Sequence, residues 1–132
     1  MSILLLDTDV VSFILKGDSR ANQYAPILHG NRLALSFMTV AELFQWTAVR
    51  NWGSQRITSL ERSLKNYLII PVDLELCRIW GNLRAERQAI GRTIASQDAW
   101  IAATALRHNL PLVTNNARDF QNIPELKVVT LK

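Results

Sequence analysis

Four acidic residues of this chain stand beside apolar segments, where a carboxylate is costly unless something neutralises it. Asp7 directly follows the apolar run at residues 3–6, while Glu42, Asp98 and Asp119 lie near the ends of three further apolar or helix-like segments. Two carboxylates about 6 Å apart repel by roughly 3 kcal/mol at an effective dielectric constant of about 20. Acids gathered in this way need a cation, so the sequence predicts a divalent-metal site.

Each acid also has a structural explanation that needs no metal. Asp7 fits a turn, Asp7-Thr8-Asp9, in which Asp9 is the N-cap of the next helix. Thr39 and Glu42 fit a capping box, in which the acid bonds the backbone at the start of its own helix. Asp98 and Asp119 fit the first turn of a helix, where the dipole favours an anion. Considered together the acids favour a metal, because helices that follow parallel strands all begin at one edge of the sheet.

Short apolar runs alternate with amphipathic stretches along the chain, which is typical of a parallel sheet covered by helices. The fold class predicted is α/β, a three-layer α/β/α sandwich around a central, mostly parallel five-stranded sheet. Ligands of such sheets bind beyond the carboxyl ends of the strands, where Asp7 would lie. The predicted strands are 3–6, 33–36, 68–71, 111–114 and 126–131, and the predicted helices are 9–16, 20–29, 39–52, 55–66, 73–90 and 97–108, with a short turn at 117–121.

Length and composition indicate one globular domain over residues 1–132, since 48% of the residues are hydrophobic. The apolar run before Asp7 is too short for a signal peptide, and no later segment is long enough to cross a membrane. Cys77 is the single cysteine, which excludes an internal disulfide framework. We therefore expect a cytoplasmic protein without a membrane anchor.

The charge balance suits a polyanionic ligand. The net charge is +4, and it is +8 for the chain without the four candidate acids. Eleven of the basic residues are arginines, which contact phosphates in bidentate fashion. The arginines nearest in sequence to the candidate site, and therefore the candidates for contacting RNA, are Arg84, Arg87, Arg92 and Arg118.

The residue types indicate which metal ion the site would bind and which other ligand-binding motifs are missing from the sequence. Carboxylate oxygens with few histidines favour Mg²⁺ or Mn²⁺ over zinc. His29 and His108 are expected to lie at helix ends, and no cysteine–histidine pattern has zinc spacing. The sequence has no phosphate-binding P-loop and no dinucleotide-binding glycine motif.

The sequence resembles the PIN-domain ribonucleases and, within them, the VapC toxins of bacterial toxin–antitoxin pairs. The likeness covers nearly the whole chain, and the order and spacing of its short motifs make it specific. The matching segments are Leu4-Leu5-Leu6-Asp7-Thr8-Asp9, Ser36-Phe37-Met38-Thr39-Val40-Ala41-Glu42-Leu43, Gly91-Arg92-Thr93-Ile94 through Asp98, Ile101-Ala102-Ala103-Thr104-Ala105, and Leu112-Val113-Thr114-Asn115-Asn116 through Asp119-Phe120.

The resemblance implies a metal-dependent endoribonuclease in which Asp7, Glu42 and Asp98 bind Mg²⁺ or Mn²⁺. The metal would acidify a water and offset charge on the phosphate in the transition state, and either one or two ions are compatible with these acids. Either Glu42 or Asp98 can serve as the general base, and the sequence does not choose between them.

The fourth ligand is a departure from the family pattern. Members often carry a fourth acid about 18 residues after the third, and Asn116 occupies that position here. Asn116 can donate a carbonyl oxygen or orient a water, and Asp119 can substitute for the missing acid. Thr8 and Thr114 match polar positions that line such sites.

The resemblance also implies partners. The substrate would be RNA, with a structured RNA such as a tRNA as the expected target. A cognate antitoxin protein would hold the chain inactive, within a toxin–antitoxin hetero-oligomer built on a homodimer. Sequence-specific RNA readers stack unpaired bases on aromatic rings, but the sequence identifies no such aromatic platform, and Trp100 is expected to serve packing.

Two other functions fit parts of the sequence. One is a haloacid-dehalogenase-like phosphatase, in which Asp7 would be a covalent nucleophile and Asp9 a general acid. The lysines and late acidic pair that this chemistry needs are not well placed. The other is a catalytically weak or inactive PIN-like module that binds RNA or protein, which the Asn116 departure favours.

Overall fold

The computed structural model describes residues 2–131 and has a five-stranded sheet at its centre. The strands are β1 (Ile3–Leu6), β2 (Arg32–Ser36), β3 (Leu68–Ile70), β4 (Leu112–Val113) and β5 (Val128–Val129). Their order across the sheet is β3-β2-β1-β4-β5, and every neighbouring pair is parallel. All strands therefore have their carboxyl ends at the same edge of the sheet, which is the edge where the candidate acids were predicted to lie.

β1 is the middle strand because its side chains are apolar on both faces. Leu5 and Leu6 are completely buried, on opposite sides of the sheet. Parallel sheets in α/β proteins are covered on both faces, and their central strands consequently lack polar alternation. Asp7, the first residue after β1, is thereby placed at the centre of the carboxyl edge.

Two helical layers cover the sheet and give it two cores. One core contains Leu4, Leu6 and Leu35 with side chains from the first four helices, and the other contains Leu5 and Ala34 with side chains from the last two. This arrangement confirms the predicted three-layer α/β/α sandwich with a five-stranded sheet. The helices are α1 (Thr8–Lys16), α2 (Arg20–Leu28), α3 (Phe37–Val49), α4 (Ser54–Leu64), α5 (Leu74–Ala89) and α6 (Ser96–His108), followed by a 3₁₀ helix at Ala117–Phe120.

Most element bounds differ from the sequence prediction by one or two residues, and the differences are largest in α3 and β5. α3 starts two residues earlier than predicted because the Ser36 side chain accepts a hydrogen bond from the Met38 N–H and caps the helix. It ends at Val49, shortly before Asn51 adopts a left-handed conformation with φ 51°. β5 is confined to Val128–Val129 instead of 126–131, since it is an edge strand whose one neighbour, β4, is itself two residues long.

α6 lies close to the sheet because its inward face is built from small side chains. Ala102 and Ala105 are buried against the core, together with Ile101. The helix ends where predicted, with Asn109 in the left-handed conformation at φ 53°. This close packing holds the first turn of α6, and therefore Asp98, against the carboxyl edge of the sheet. Within residues 2–131, no helix combines the length and apolar character needed to cross a bilayer.

Because the side chains of β1 are buried, we expect that shortening one of them lowers the stability of the fold substantially. Leu5→Ala should lower the free energy of unfolding by about 2–5 kcal/mol, because it leaves a cavity at a fully buried position. Leu74→Ala is the matched control, since Leu74 is 79% exposed and its truncation should change stability by less than about 0.5 kcal/mol. Urea unfolding followed by circular dichroism measures both values, and similar costs for the two variants would contradict the assigned position of β1.

Candidate metal centre

Asp7 is the most buried of the candidate acids, and both of its carboxylate oxygens accept hydrogen bonds. Oδ1 accepts from the Thr8 N–H at 2.8 Å, and Oδ2 accepts from the Thr114 hydroxyl at 2.7 Å. Burial raises the pKa of Asp7 even though these two bonds act in the opposite direction, and the nearby charge of Asp119 raises the pKa further. The carboxylate is thus fixed in orientation and lacks a compensating positive charge.

Glu42 faces the same region from the second turn of α3. Its Oε1 accepts a 2.9 Å hydrogen bond from the Thr8 hydroxyl, which in turn lies 2.9 Å from the Thr39 hydroxyl. Burial raises the pKa of Glu42 most, and the Asp7 carboxylate adds to it. The capping-box explanation of Glu42 is wrong, because Thr39 lies inside α3 and Ser36 occupies the N-cap.

Asp98 lies in the first turn of α6, as predicted, and the charges of the other acids in the cluster raise its pKa. Burial raises its pKa from 3.8 to about 7, and the carboxylates of Asp7, Asp119, Glu42 and Asp9 contribute in that order. The helix begins after Ala95, whose side chain cannot cap it. The structure therefore brings Asp98 into the same electrostatic environment as four acids from other parts of the chain.

Asp9 belongs to this environment as well, although sequence reasoning treated it as a helix cap. The cap of α1 is Asp7 instead, and Asp9 lies in the first turn. Its Oδ2 accepts from the Asn115 N–H at 3.1 Å, while Oδ1 is buried with no hydrogen-bond partner in the part of the chain the structure describes. Burial and the Asp7 charge raise its pKa to about 7. The spacing of Asp7 and Asp9, two residues apart, is the sequence feature that could have indicated that Asp9 lies near the other acids.

The loop after β4 closes the cluster with polar groups. The Thr114 hydroxyl donates to Asp7 and accepts from the Asn116 N–H at 3.0 Å. The side-chain amide of Asn116 donates to Asp119 Oδ2 at 2.6 Å. Asp119 lies close enough to raise the pKa of both Asp7 and Asp98. The two alternative fourth ligands of the sequence analysis thus form a single hydrogen-bonded pair at this edge.

The four candidate arginines are in different situations. Arg87 is tied to the backbone, donating to the carbonyls of Arg92 and Gln121 at 2.8 and 2.7 Å. Arg84 lies with its guanidinium 5.3 Å from the centre of the Trp80 ring. Arg92 and Arg118 are exposed. Contact with RNA remains a prediction for all four, and Arg87 already has a structural role that joins the α5–α6 loop to the segment after the 3₁₀ helix.

The chemistry of the donors fits a hard divalent cation. As the side chains stand, no three carboxylate, imidazole or thiol groups of residues 2–131 lie close enough together to hold one ion. The ion pairs found in that range involve Asp18, Asp73 and Glu75, so none of them neutralises the cluster. A set of mutually repelling oxygen donors, of which Asp7 is buried and Asp9, Glu42 and Asp98 are half-buried, is the environment in which Mg²⁺ or Mn²⁺ would be stabilising.

Comparison with known proteins assigns the fold to a family. The profile of the PIN domain matches residues 4–126. Ribonuclease VapC1 of Haemophilus influenzae strain R2866 is 29% identical over 127 residues, which cover 95% of each chain. Ribonuclease VapC2 of Haemophilus influenzae strain ATCC 51907 is 30% identical over 128 residues, or 93% of each chain. The crystal structure of VapBC2 from Rickettsia felis, bound to a DNA fragment from their promoter, superimposes with a TM-score of 0.85 at 28% identity over the full length of both chains.

An acid cluster at the carboxyl edge of a five-stranded parallel sheet is thus accompanied by similarity along almost the entire chain. The chain belongs to the PIN-domain family and, within it, to the VapC family.

The raised pKa of Asp98 predicts a pH-dependent loss of stability when divalent ions are absent. Its folded-state pKa of about 7 lies above the reference value of 3.8, so the folded chain binds more protons between these pH values and becomes less stable as the pH rises through them. Asp98→Asn should escape this loss and be more stable than the unaltered chain at pH 8 in EDTA, by about 1–2 kcal/mol after allowance for solvent screening of a half-exposed group.

Thermal unfolding at pH 5 and pH 8 in EDTA measures this effect. Glu61→Gln is the control, because Glu61 is an exposed acid on α4 outside the cluster. If the pH dependence of stability is the same in Asp98→Asn as in Glu61→Gln, then Asp98 is not the source of the predicted loss of stability.

Proposed function

We propose that the chain is a Mg²⁺- or Mn²⁺-dependent endoribonuclease that acts as the toxin of a toxin–antitoxin pair, with residues 1–132 forming one PIN domain. The observation that carries this proposal is the convergence of Asp7, Glu42 and Asp98 from three separate elements into one uncompensated acidic cluster. The names of the curated relatives, which are ribonucleases, supply the substrate class.

Asp7, Glu42 and Asp98 would hold the metal, with Asn116 or Asp119 as a further oxygen donor. A divalent ion bound there would supply positive charge to offset the charge that develops on the scissile phosphate and would make water easier to deprotonate. The cluster would then lose the repulsion that raises the pKa of Asp98.

The hydroxyl groups of the site orient its acids. Thr114 fixes one oxygen of Asp7, and Thr8 holds the other oxygen through its N–H and Glu42 through its hydroxyl. Two of the three acids are therefore pre-oriented before substrate arrives, which lowers the cost of ordering the site. Asp98 and the second oxygen of Glu42 are the two candidate acceptors for the proton of the attacking water.

The substrate we propose is RNA, with a structured RNA such as a tRNA as the expected target. Arg84, Arg92 and Arg118 are the arginines we propose to contact its phosphates, in addition to steering by the net charge of +4. Arg87 would contribute to RNA binding mainly by holding the loop that carries Arg92.

The partners we propose are a cognate antitoxin and a second copy of the chain. The solved VapBC2 structure of Rickettsia felis, which this chain resembles over its full length, contains its promoter DNA fragment. For this chain we propose, by similarity, a toxin–antitoxin hetero-oligomer that is built on a homodimer in the cytoplasm.

The function is tested by removing one carboxylate charge from the site. Asp7→Asn should lower the rate of RNA cleavage by more than about 100-fold, since even outer-shell changes at metal sites cost about 10- to 100-fold. The purified chain is incubated with total RNA in Mg²⁺ or Mn²⁺, with and without EDTA. Asp18→Asn, a change at a surface acid paired with Arg20, should leave cleavage unaltered.

Cleavage that survives in Asp7→Asn, or in excess EDTA, would overturn the proposed function. Metal binding by a folded chain that cleaves no RNA, once freed of any copurified antitoxin, would favour the inactive PIN-like binding module.

The support given by Thr114 is tested by an isosteric change. Thr114→Val removes the hydroxyl that bonds Asp7 and should lower activity or metal affinity by about 10- to 100-fold. Thr114→Ser retains the hydroxyl and should recover most of the loss. Calorimetric titration with Mn²⁺ measures the affinity, and equal affinities for the valine and serine variants would show that this hydrogen bond does not support the metal site.

A further inference from the structure

Tyr24 carries the largest fully buried side chain among residues 2–131, although it belongs to a helix that is mostly exposed. The buried side chains of α2 are Tyr24 and Leu28, and the Tyr24 ring lies with its centroid 6.5 Å from that of Phe13 in α1. A phenylalanine would fill the same space without bringing a polar group into the core. The Tyr24 hydroxyl therefore needs a partner, because burying a hydroxyl without one is unfavourable.

The hydroxyl of Tyr24 finds its partner in the loop after β4, 91 residues later in the sequence. It donates a 2.7 Å hydrogen bond to Oδ1 of Asn115 and lies 3.5 Å from the Thr114 carbonyl oxygen. Burial first, and then the charge of Asp9, raise the pKa of Tyr24, while a hydrogen bond with Thr130 acts in the opposite direction. The hydroxyl is therefore protonated at neutral pH and can act as the donor.

The loop that Tyr24 contacts, residues 114–116, supports two carboxylates of the acid cluster. The Thr114 hydroxyl donates to Asp7 Oδ2 at 2.7 Å, and the Asn115 N–H donates to Asp9 Oδ2 at 3.1 Å. The Asn116 N–H donates to the Thr114 hydroxyl at 3.0 Å. Asn115 thus supports Asp9 with its backbone and bonds Tyr24 with its side chain.

The Tyr24 ring is a fixed point for this loop. Connecting loops move more than the elements they join unless hydrogen bonds restrain them. The ring of Tyr24 is completely buried, so its hydroxyl keeps one position and restrains the Asn115 side chain that accepts from it. Groups that bond the ligands of a metal site from outside commonly orient those ligands.

We infer that Tyr24 is a positioning residue of the candidate metal centre. It restrains residues 114–116 through the Asn115 side chain, and these residues in turn orient Asp7 and Asp9. The inference rests on the proposed function, because the site that Tyr24 serves is the proposed metal centre. Tyr24 acts through Asn115 and touches neither the ion nor the substrate.

The restraint on the loop can be measured without metal. Relaxation of backbone ¹⁵N nuclei in the full chain, in EDTA, gives the order parameter of each N–H. In Tyr24→Phe, which keeps the ring, the order parameters of Asn115 and Asn116 should fall from about 0.85, typical of rigid backbone, toward about 0.6. The order parameter of Leu5, in the middle of the sheet, should not change, since order parameters report motion within the folded state and not its stability.

The effect on the metal site is measured by calorimetric titration with Mn²⁺. Tyr24→Phe should weaken binding by about tenfold, at the lower end of the range for changes outside the ligands themselves. Asn115→Ala removes the acceptor but keeps the N–H that bonds Asp9, and it should weaken binding to a similar extent. If both changes act through one hydrogen bond, the double variant should bind Mn²⁺ no more weakly than either single variant.

Tyr67→Phe is the matched control, because it removes the hydroxyl of the second of the two tyrosines. Tyr67 is half-buried and packs against the same core as Tyr24. It lies before the amino end of β3, two strands away from β1 and away from the carboxyl edge. Its removal should leave both the order of the loop and the Mn²⁺ affinity unchanged.

Lower order in the loop together with weaker Mn²⁺ binding in Tyr24→Phe, without a further effect in the double variant, would support the inference. A lower unfolding temperature of Tyr24→Phe, with unchanged loop order and unchanged Mn²⁺ affinity, would show that the hydroxyl only stabilises the fold and would overturn it. Lower loop order with unchanged Mn²⁺ affinity would overturn it as well, since the loop would then not orient the ligands.

The outcomes separate the inference from the proposed function. Metal-dependent RNA cleavage by the unaltered chain, with unchanged loop order in Tyr24→Phe, would overturn the inference and leave the nuclease proposal standing. Lower loop order and weaker Mn²⁺ binding in Tyr24→Phe, in a chain that cleaves no RNA, would support the inference while the nuclease proposal fails.

Discussion

The repulsion among carboxylates at the carboxyl end of β1 is the constraint on which the rest of the site depends. Burial of Asp7 and Asp98 disfavours their charged forms, and their neighbours disfavour them further. Thr8 and Thr114 offset part of this cost with hydrogen bonds, but a neutral hydroxyl cannot cancel a charge. The fold thus maintains a set of carboxylates whose charged forms are disfavoured unless positive charge is brought to them.

The strand order explains how distant residues reach that point. β1 lies between β2 and β4, so the segments that follow these three strands are neighbours, and they carry Asp7, Glu42 and Thr114. α6 crosses close to the sheet on its alanine face and adds Asp98.

The layered fold and the main acids could be predicted because they depend on local patterns. Apolar runs separated by amphipathic stretches define the layers, and an acid directly after such a run, as at Asp7, defines the site edge. The position of Asp9 beside Asn115 and the stacking of Trp80 on Trp100 could not be predicted, since each depends on a contact between residues that only the fold makes neighbours. The cap of α3 was missed for a local reason, because both Ser36 and Thr39 carry a hydroxyl that fits an N-cap.

The most direct measurement is the anomalous scattering of Mn²⁺ in crystals of the full chain grown with and without the ion. We expect an anomalous peak among Asp7, Glu42 and Asp98, with carboxylate oxygens about 2.0–2.2 Å from the ion, near the distances of other small divalent cations. Turning of the Asp98 and Glu42 side chains toward that peak would accompany it. A well-ordered site without a peak, or a peak bound only at surface acids such as Asp73, would contradict the claim that this cluster is a metal centre.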